Sequence, residues 1–129
     1  MLSGIFNCGI FNCRIFLCTQ ATDMRKSFYT LSGLVRQAMN LDPMNGALFV
    51  FKNKSNNSLK ILYFDGDGFA IWYKKLAKGT FKFPDLGKYD CSGIEIDATT
   101  LRLILDGIDL INIRKRNRYA IENNVESIV

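Results

Sequence analysis

The clearest pattern of hydrophobic and polar positions lies between Leu59 and Leu76, LKILYFDGDGFAIWYKKL. Two aromatic-rich runs with a period of two flank the tetrapeptide Asp65–Gly68. This pattern predicts a β-hairpin with strands Leu59–Asp65 and Phe69–Leu76, because glycine adopts the positive φ that tight hairpin turns require. Large apolar groups fall on both faces of the runs, which indicates a hairpin in the middle of the sheet with a layer on either side.

Further strands are predicted on both sides of the hairpin. Ala47–Lys52 (ALFVFK) is strongly apolar and is followed by the polar loop NKSNNS, so it precedes the hairpin as the first strand of an antiparallel meander. Arg14–Cys18 alternates like a strand and is predicted to belong to the same sheet. Short strands are expected at Ile94–Ile96 and, as a strand or edge segment, at Phe81–Phe83.

Apolar residues at spacings of three and four predict two helices. The first is Met24–Met39, in which one apolar stripe runs the whole length and either Thr22 or Asp23 caps the free N–H groups. The second runs from about Ala98 to Leu105, with Asp97 as its cap.

These elements predict a single α+β domain spanning residues 1–129, since a chain of this length has room for one core but not for two. It consists of an antiparallel β-meander sheet, one long helix of the N-terminal half packed on a face of that sheet, and a short C-terminal helix beside the first. Residues 1–13, which contain two copies of the pentad GIFNC, form an extension, and residues 110–129 form a basic tail.

Composition narrows the possible chemistry. The chain contains no histidine, which excludes catalysis by a Ser-His or Cys-His pair and histidine metal sites. Its four cysteines lack the paired C-x-x-C spacing of a zinc site, so we expect reduced thiols in a cytoplasmic protein, with no metal and no cofactor. The N-terminal repeat lacks the basic start and continuous apolar stretch of a signal peptide, and no membrane partner is expected.

The acidic turn of the hairpin offers no catalytic or calcium site. Asp65-x-Asp67-Gly68 resembles the start of an EF-hand loop, but the later positions lack the oxygen ligand, glycine and glutamate that such a loop needs. Two carboxylates on a solvated turn also lack the burial that separates pKa values for acid–base catalysis. We therefore predict that the protein is not an enzyme.

Basic residues are the best candidates for contacts with a partner. The net charge is +5, and lysines follow the aromatic residues of the hairpin, so that ammonium groups can neutralise phosphates while a ring stacks on a base. The alternatives are that the aromatics lie in the core, that the lysines protect an edge strand, and that the other basic residues form a solvated face and a solubilising tail. The candidate contact residues are Arg25, Lys26, Trp72, Lys74, Lys75, Arg114, Lys115, Arg116 and Arg118.

Three blocks of sequence occur in a recognisable order and spacing: ATDMRKSFYTLSGLV, GALFVFKNK and LKILYFDGDGFAIWYKKLAKGTFKFP. Together they resemble the small accessory protein, of the TnpB type, of the sixty-six family of bacterial insertion sequences. The resemblance covers residues 14–84 and extends more weakly through Ile94–Asp109. It implies a role in transposition beside a separate transposase, with DNA or the transposition complex as partner, and it brings no catalytic site.

We therefore predict a non-catalytic accessory protein of DNA transposition that binds the DNA of the insertion-sequence ends, the transposase and other element-encoded proteins, or both. The alternative is a protein–protein adaptor or dimerisation module that uses its sheet edge and makes no direct contact with DNA. A homo-oligomer is compatible with either function.

Overall fold

A computed structural model describes residues 13–89 and 92–107, which form a five-stranded sheet and two helices. The elements in chain order are β1 (Ile15–Cys18), α1 (Phe28–Gln37), β2 (Leu48–Lys52), β3 (Ser58–Phe64), β4 (Phe69–Lys75), a 3₁₀ turn (Leu86–Lys88), β5 (Gly93–Ile96) and α2 (Ala98–Asp106). The strands lie side by side in the order β4-β3-β2-β1-β5. The predicted α+β class is confirmed.

The sheet is mixed, so the prediction of a purely antiparallel sheet is wrong. β2, β3 and β4 form the predicted meander, but β1 runs parallel to β2, with Phe16 opposite Phe49. The reason is that α1 connects β1 to β2, and a helical crossover brings the chain back to start the next strand in the same direction. β5, which contains the predicted strand Ile94–Ile96, pairs antiparallel with β1 on the side of β1 that faces away from β2.

The hairpin of β3 and β4 forms where the sequence predicts it. The Asp65 N–H donates to the Gly68 carbonyl at 3.0 Å, and Gly66 has a φ of 104°. A positive φ at the first central residue of a two-residue loop matches the twist of the strands. Only β3 lies inside the sheet, however, because β4 is at its edge.

Helix α1 has ten residues, Phe28–Gln37, rather than the predicted Met24–Met39. Asp23 does not cap it, because its carboxylate accepts the N–H of Arg25 at 2.9 Å and closes a separate turn. Such local side-chain to backbone hydrogen bonds compete with helix geometry. The helix therefore starts one turn later, with Ser27 as its N-cap residue.

The two helices pack on opposite faces of the sheet, so the prediction that they lie side by side is wrong. Alternate residues of β1 and β2 are buried on each face, and both faces therefore need a cover. On the α1 face the buried cluster includes Phe16, Phe49, Leu31 and Val35. On the α2 face it includes Ile15, Leu17, Leu48, Val50, Leu101 and Ile104.

The ends of α2 agree with those predicted from the sequence to within one residue. The carboxylate of Asp97 accepts the N–H of Thr100 at 2.7 Å, and Gly107, with a φ of 73°, ends the helix. Phe81–Phe83 was predicted as a strand or an edge segment, and the strand alternative is wrong, because the segment has no strand structure. Phe81 instead anchors this segment by burying its ring in the α2-side core.

Several predictions concern residues outside those described. These predictions are the repeat extension in residues 1–12, the basic tail at 110–129, and the reduced thiols of Cys8 and Cys91. The tail contains the predicted contact residues Arg114, Lys115, Arg116 and Arg118. Cys13 and Cys18 carry free thiols. Within residues 13–89 and 92–107, neither helix is long and apolar enough to cross a membrane.

Candidate nucleic-acid interface

An open groove of about 480 Å³ lies beside the turn that precedes α1. The Thr22 N–H donates to the Lys52 carbonyl at 2.8 Å and ties this turn to the end of β2. The end of β2, the start of β3 and the end of β4 lie at the same end of the sheet, because neighbouring strands here are antiparallel. The groove is lined by side chains of the turn, of the β2–β3 loop and of β4, among them Asp23, Met24, Lys54, Ser55, Tyr73 and Lys75.

A buried lysine links the turn to the sheet. Lys60 is only 8% exposed, and its ammonium group donates to the Lys26 carbonyl at 2.7 Å. The same group lies 4.9 Å from the centroid of the Tyr73 ring, which provides a cation–π contact. No carboxylate of the described part of the chain forms an ion pair with Lys60, so its charge adds to the positive potential around the groove.

The lysines at the groove are not neutralised by acidic side chains of the residues that the structure describes. Ion pairs within that part of the chain join Arg14 to Glu95 and Arg25 to Asp23. Lys54 and Lys75 take part in neither and are exposed. Unpaired ammonium groups along an open groove are suited to binding the phosphates of a polyanion.

Arg25 is held by the acidic residue that shapes the turn. Its Nη2 lies 2.6 Å from Oδ2 of Asp23, and its Nε also donates to Oδ1 at 3.1 Å. The hydrogen bond from the Arg25 side chain lowers the pKa of Asp23 to about 2. Both side chains face solvent, so the pair orients the turn more than it stabilises the fold.

We expect the Asp23 carboxyl to titrate near pH 2 in the native chain, and its pKa to rise toward the ordinary value of about 3.9 in the variant Arg25→Gln. Because the pKa is lower in the folded than in the unfolded state, the stabilisation is complete above the unfolded pKa and is lost as the pH falls toward 2. The measurement is the carboxyl carbon chemical shift against pH.

The matched control for this titration is Arg36→Gln, which removes an exposed arginine that has no carboxylate partner among the described residues. It should leave the pKa of Asp23 unchanged. An Asp23 carboxyl that titrates near 3.9 in the native chain would contradict the ion pair.

The predicted patch Trp72–Lys75 is divided between the two faces of the sheet. Tyr73 and Lys75 line the groove on the α1 side. Trp72 is half-buried and packs against the α2-side core, and Lys74 follows on that same face because side chains alternate along a strand. The groove therefore brings together Lys75 and the turn that carries Arg25 and Lys26, but not Trp72 or Lys74. Lys54 also lines the groove, and the buried Lys60 lies against the Tyr73 ring; neither was predicted as a contact residue.

A second groove, of about 760 Å³, lies beside the start of β1 and the end of β5, and it is less suited to binding an anion. Its lining includes Arg14, Glu95 and Asp97, and the guanidinium of Arg14 is already paired with Glu95 at 2.7 Å. Across residues 13–89 and 92–107, no three Cys, Asp or Glu side chains are close enough together to hold a metal ion.

Comparison with known proteins matches residues 13–115 to a family described as IS66 Orf2 like protein. Two relatives come from Sinorhizobium fredii (strain NBRC 101917 / NGR234). "Uncharacterized protein y4hO" is 36% identical over 91 residues, 70% of this chain and 76% of the relative. "Uncharacterized protein y4jC" is 30% identical over 98 residues, 76% of this chain and 81% of the relative. No solved structure matches the chain.

Proposed function

Because the chain belongs to the IS66 Orf2-like family, which implies an accessory role in transposition, we propose that it binds DNA as a non-catalytic partner of the transposase. The proposed contact surface is the groove between the turn at residues 23–26 and the end of β4. The protein would act in the cytoplasm, where it meets the ends of the insertion sequence.

The observation that carries this proposal is the pair of exposed, unpaired lysines, Lys54 and Lys75, on the walls of one open groove. Lys26 lies next to it, held through its carbonyl by the buried Lys60. Lys54 and Lys75 come from two separate segments, so their positive charge meets at one groove. Phosphate neutralisation with release of counterions is the main source of affinity for DNA.

The remaining candidate contacts lie outside the groove and are proposed to add to it. Arg25 orients the turn through Asp23 and presents an exposed guanidinium. Trp72 and Lys74 are on the opposite face of β4. The basic tail, with Arg114, Lys115, Arg116 and Arg118, would supply further phosphate contacts.

The test is a titration of labelled duplex DNA with the purified chain at several salt concentrations, using an insertion-sequence end and an unrelated duplex. We expect the logarithm of the affinity to fall linearly with the logarithm of the salt concentration, by about 0.9 for each phosphate contact. The double variant Lys54→Gln/Lys75→Gln should bind at least about tenfold more weakly at low salt, with a slope less steep by about two contacts.

The control for the titration is Lys88→Gln, which removes an exposed lysine on the 3₁₀ turn, away from the groove. It should bind DNA nearly as well as the native chain. Absence of binding at low salt would refute DNA binding, and equal slopes for the native chain and the double variant would refute the groove as its site.

Direct contact with the transposase is a second candidate, favoured by aromatic side chains at the start of α1. Tyr29 is 91% exposed and Phe28 is 46% exposed, and exposed aromatic residues are enriched among the anchors of protein interfaces. The transposase should be captured by the native chain in the presence of nuclease, and less well by Tyr29→Ala. Capture that disappears with nuclease would leave DNA as the link between the two proteins.

A further inference from the structure

The outer edge of β4 presents a row of backbone groups that no described strand pairs. The Asp65 N–H bonds to the Gly68 carbonyl, and the Leu76 N–H bonds to the Asn57 carbonyl at the other end of the hairpin. Because hydrogen-bonded and non-hydrogen-bonded pairs alternate in an antiparallel ladder, the even-numbered residues of β4 bond to β3. The residues whose N–H and C=O groups point outward are Phe69, Ile71, Tyr73 and Lys75.

The charges along this edge are polarised. Asp65 and Asp67 lie in the turn before β4, while Lys74, Lys75 and Lys78 lie at its other end. The residues between them, Phe69–Tyr73, are uncharged. None of these five charged side chains forms an ion pair with another part of the chain that the structure describes. The two ends of the strand are roughly 20 Å apart, too far to neutralise each other within one copy.

We propose that two copies of this chain pair antiparallel through β4, with Trp72 of each copy on the two-fold axis, so that two five-stranded sheets become one. In this register Phe69 lies opposite the second copy's Lys75, and Ile71 lies opposite the second copy's Tyr73. All four outward-facing residues then meet outward-facing residues and form hydrogen-bonded pairs.

The distribution of charge selects this orientation. Antiparallel pairing brings Lys75 and Lys78 of one copy beside Asp67 of the other, whereas parallel pairing would put lysine beside lysine. Lysines usually protect an edge strand from association, but here they occupy only one end and leave the stretch from Phe69 to Tyr73 free to pair. Ile71 opposite Tyr73 is a β-branched–aromatic pair of the kind that stabilises antiparallel strands.

The dimer does not depend on DNA binding and is tested in its absence. Sedimentation of the full chain over a wide range of concentrations should show a reversible monomer–dimer equilibrium. Trp72 is the single tryptophan of the chain, so its fluorescence emission should shift to shorter wavelength as dimers form and bury it. A chain that stays monomeric throughout would overturn the proposal.

The edge itself is tested by Ile71→Pro. Proline removes an N–H that points away from β3, so no hydrogen bond of the hairpin is lost, and proline is tolerated at such positions of edge strands. We expect the dimer to dissociate. The matched control Ile71→Val keeps the N–H and should keep the dimer.

Charge reversal provides a test that does not alter the backbone. Asp67→Lys and Lys75→Glu should each weaken the dimer about tenfold, and the double variant should restore it. Because these residues lie at opposite ends of β4, restoration requires contact between copies. A dimer that is insensitive to Ile71→Pro and to both charge reversals would refute this interface. So would a monomer whose Ile71 amide is protected from hydrogen exchange, since the edge would then be covered within a single copy.

Discussion

Replacing Phe49 by alanine is expected to lower the free energy of unfolding by about 3–5 kcal/mol. Phe49 is 0% exposed and lies in β2, between the sheet and helix α1. Its ring stacks on Phe16 of the neighbouring strand, with centroids 5.8 Å apart and an angle of 16° between the planes. Alanine would leave a cavity that Leu31 and Val35, fixed on a helix, fill only in part.

A loss of this size approaches the whole stability of a small domain, which is about 5–15 kcal/mol. The measurement is urea denaturation followed by circular dichroism. Phe28→Ala is the matched control, because Phe28 is 46% exposed and its truncation should change stability by no more than about 0.5–1 kcal/mol. Equal effects of the two substitutions would show that Phe49 is not a core residue.

The strands were predictable because their pattern is local. Apolar runs and their alternation located β1, β2, β3 and β4 to within one residue at each end, and the Asp-Gly turn located the hairpin. Alternation says nothing, however, about the direction of a strand or its neighbours. The parallel pairing of β1 with β2 follows from the crossover through α1. The pairing of β5 with β1 joins residues far apart in sequence, which no local pattern reveals.

The start of α1 shows how one polar side chain can override an apolar pattern. Met24 fits the spacing of the apolar stripe, but Asp23 binds the backbone N–H and the guanidinium of Arg25 instead of capping a helix. This difference matters for function. A helix starting at Met24 would place Arg25 and Lys26 on a helical surface, whereas the observed turn holds them beside the end of β4.

The candidate site was only partly predictable, since its groove joins three segments that are distant in sequence. Arg25, Lys26 and Lys75 were predicted as contacts; Lys75 lines the groove, and Arg25 and Lys26 belong to the turn that borders it. Lys54 lies in a polar loop that carries no distinctive signal. Lys60 does carry a signal, because it is a lysine inside an otherwise apolar strand. The structure accounts for this lysine by its burial against the Tyr73 ring. The division of Trp72 and Lys74 from Tyr73 and Lys75 follows from strand alternation alone.

Replacing Leu101 by alanine is expected to cost about 2–5 kcal/mol of stability. Leu101 is 0% exposed and attaches α2 to the face of the sheet opposite α1, in the cluster that contains Val50. Urea denaturation again provides the measurement. Thr99→Ala, at an exposed position two residues earlier on the same helix, is the control and should change stability by no more than about 0.5 kcal/mol.

Double-mutant cycles with Leu101→Ala test where the two helices lie. Val35 is on α1, in the cluster on the other face, so Val35→Ala and Leu101→Ala share no partner and their effects should add to within about 0.5 kcal/mol. Val50→Ala removes part of the same cluster as Leu101→Ala, so that pair should deviate from additivity by about 0.5–3 kcal/mol. If the helices lay side by side on one face, Val35 and Leu101 would be the coupled pair instead.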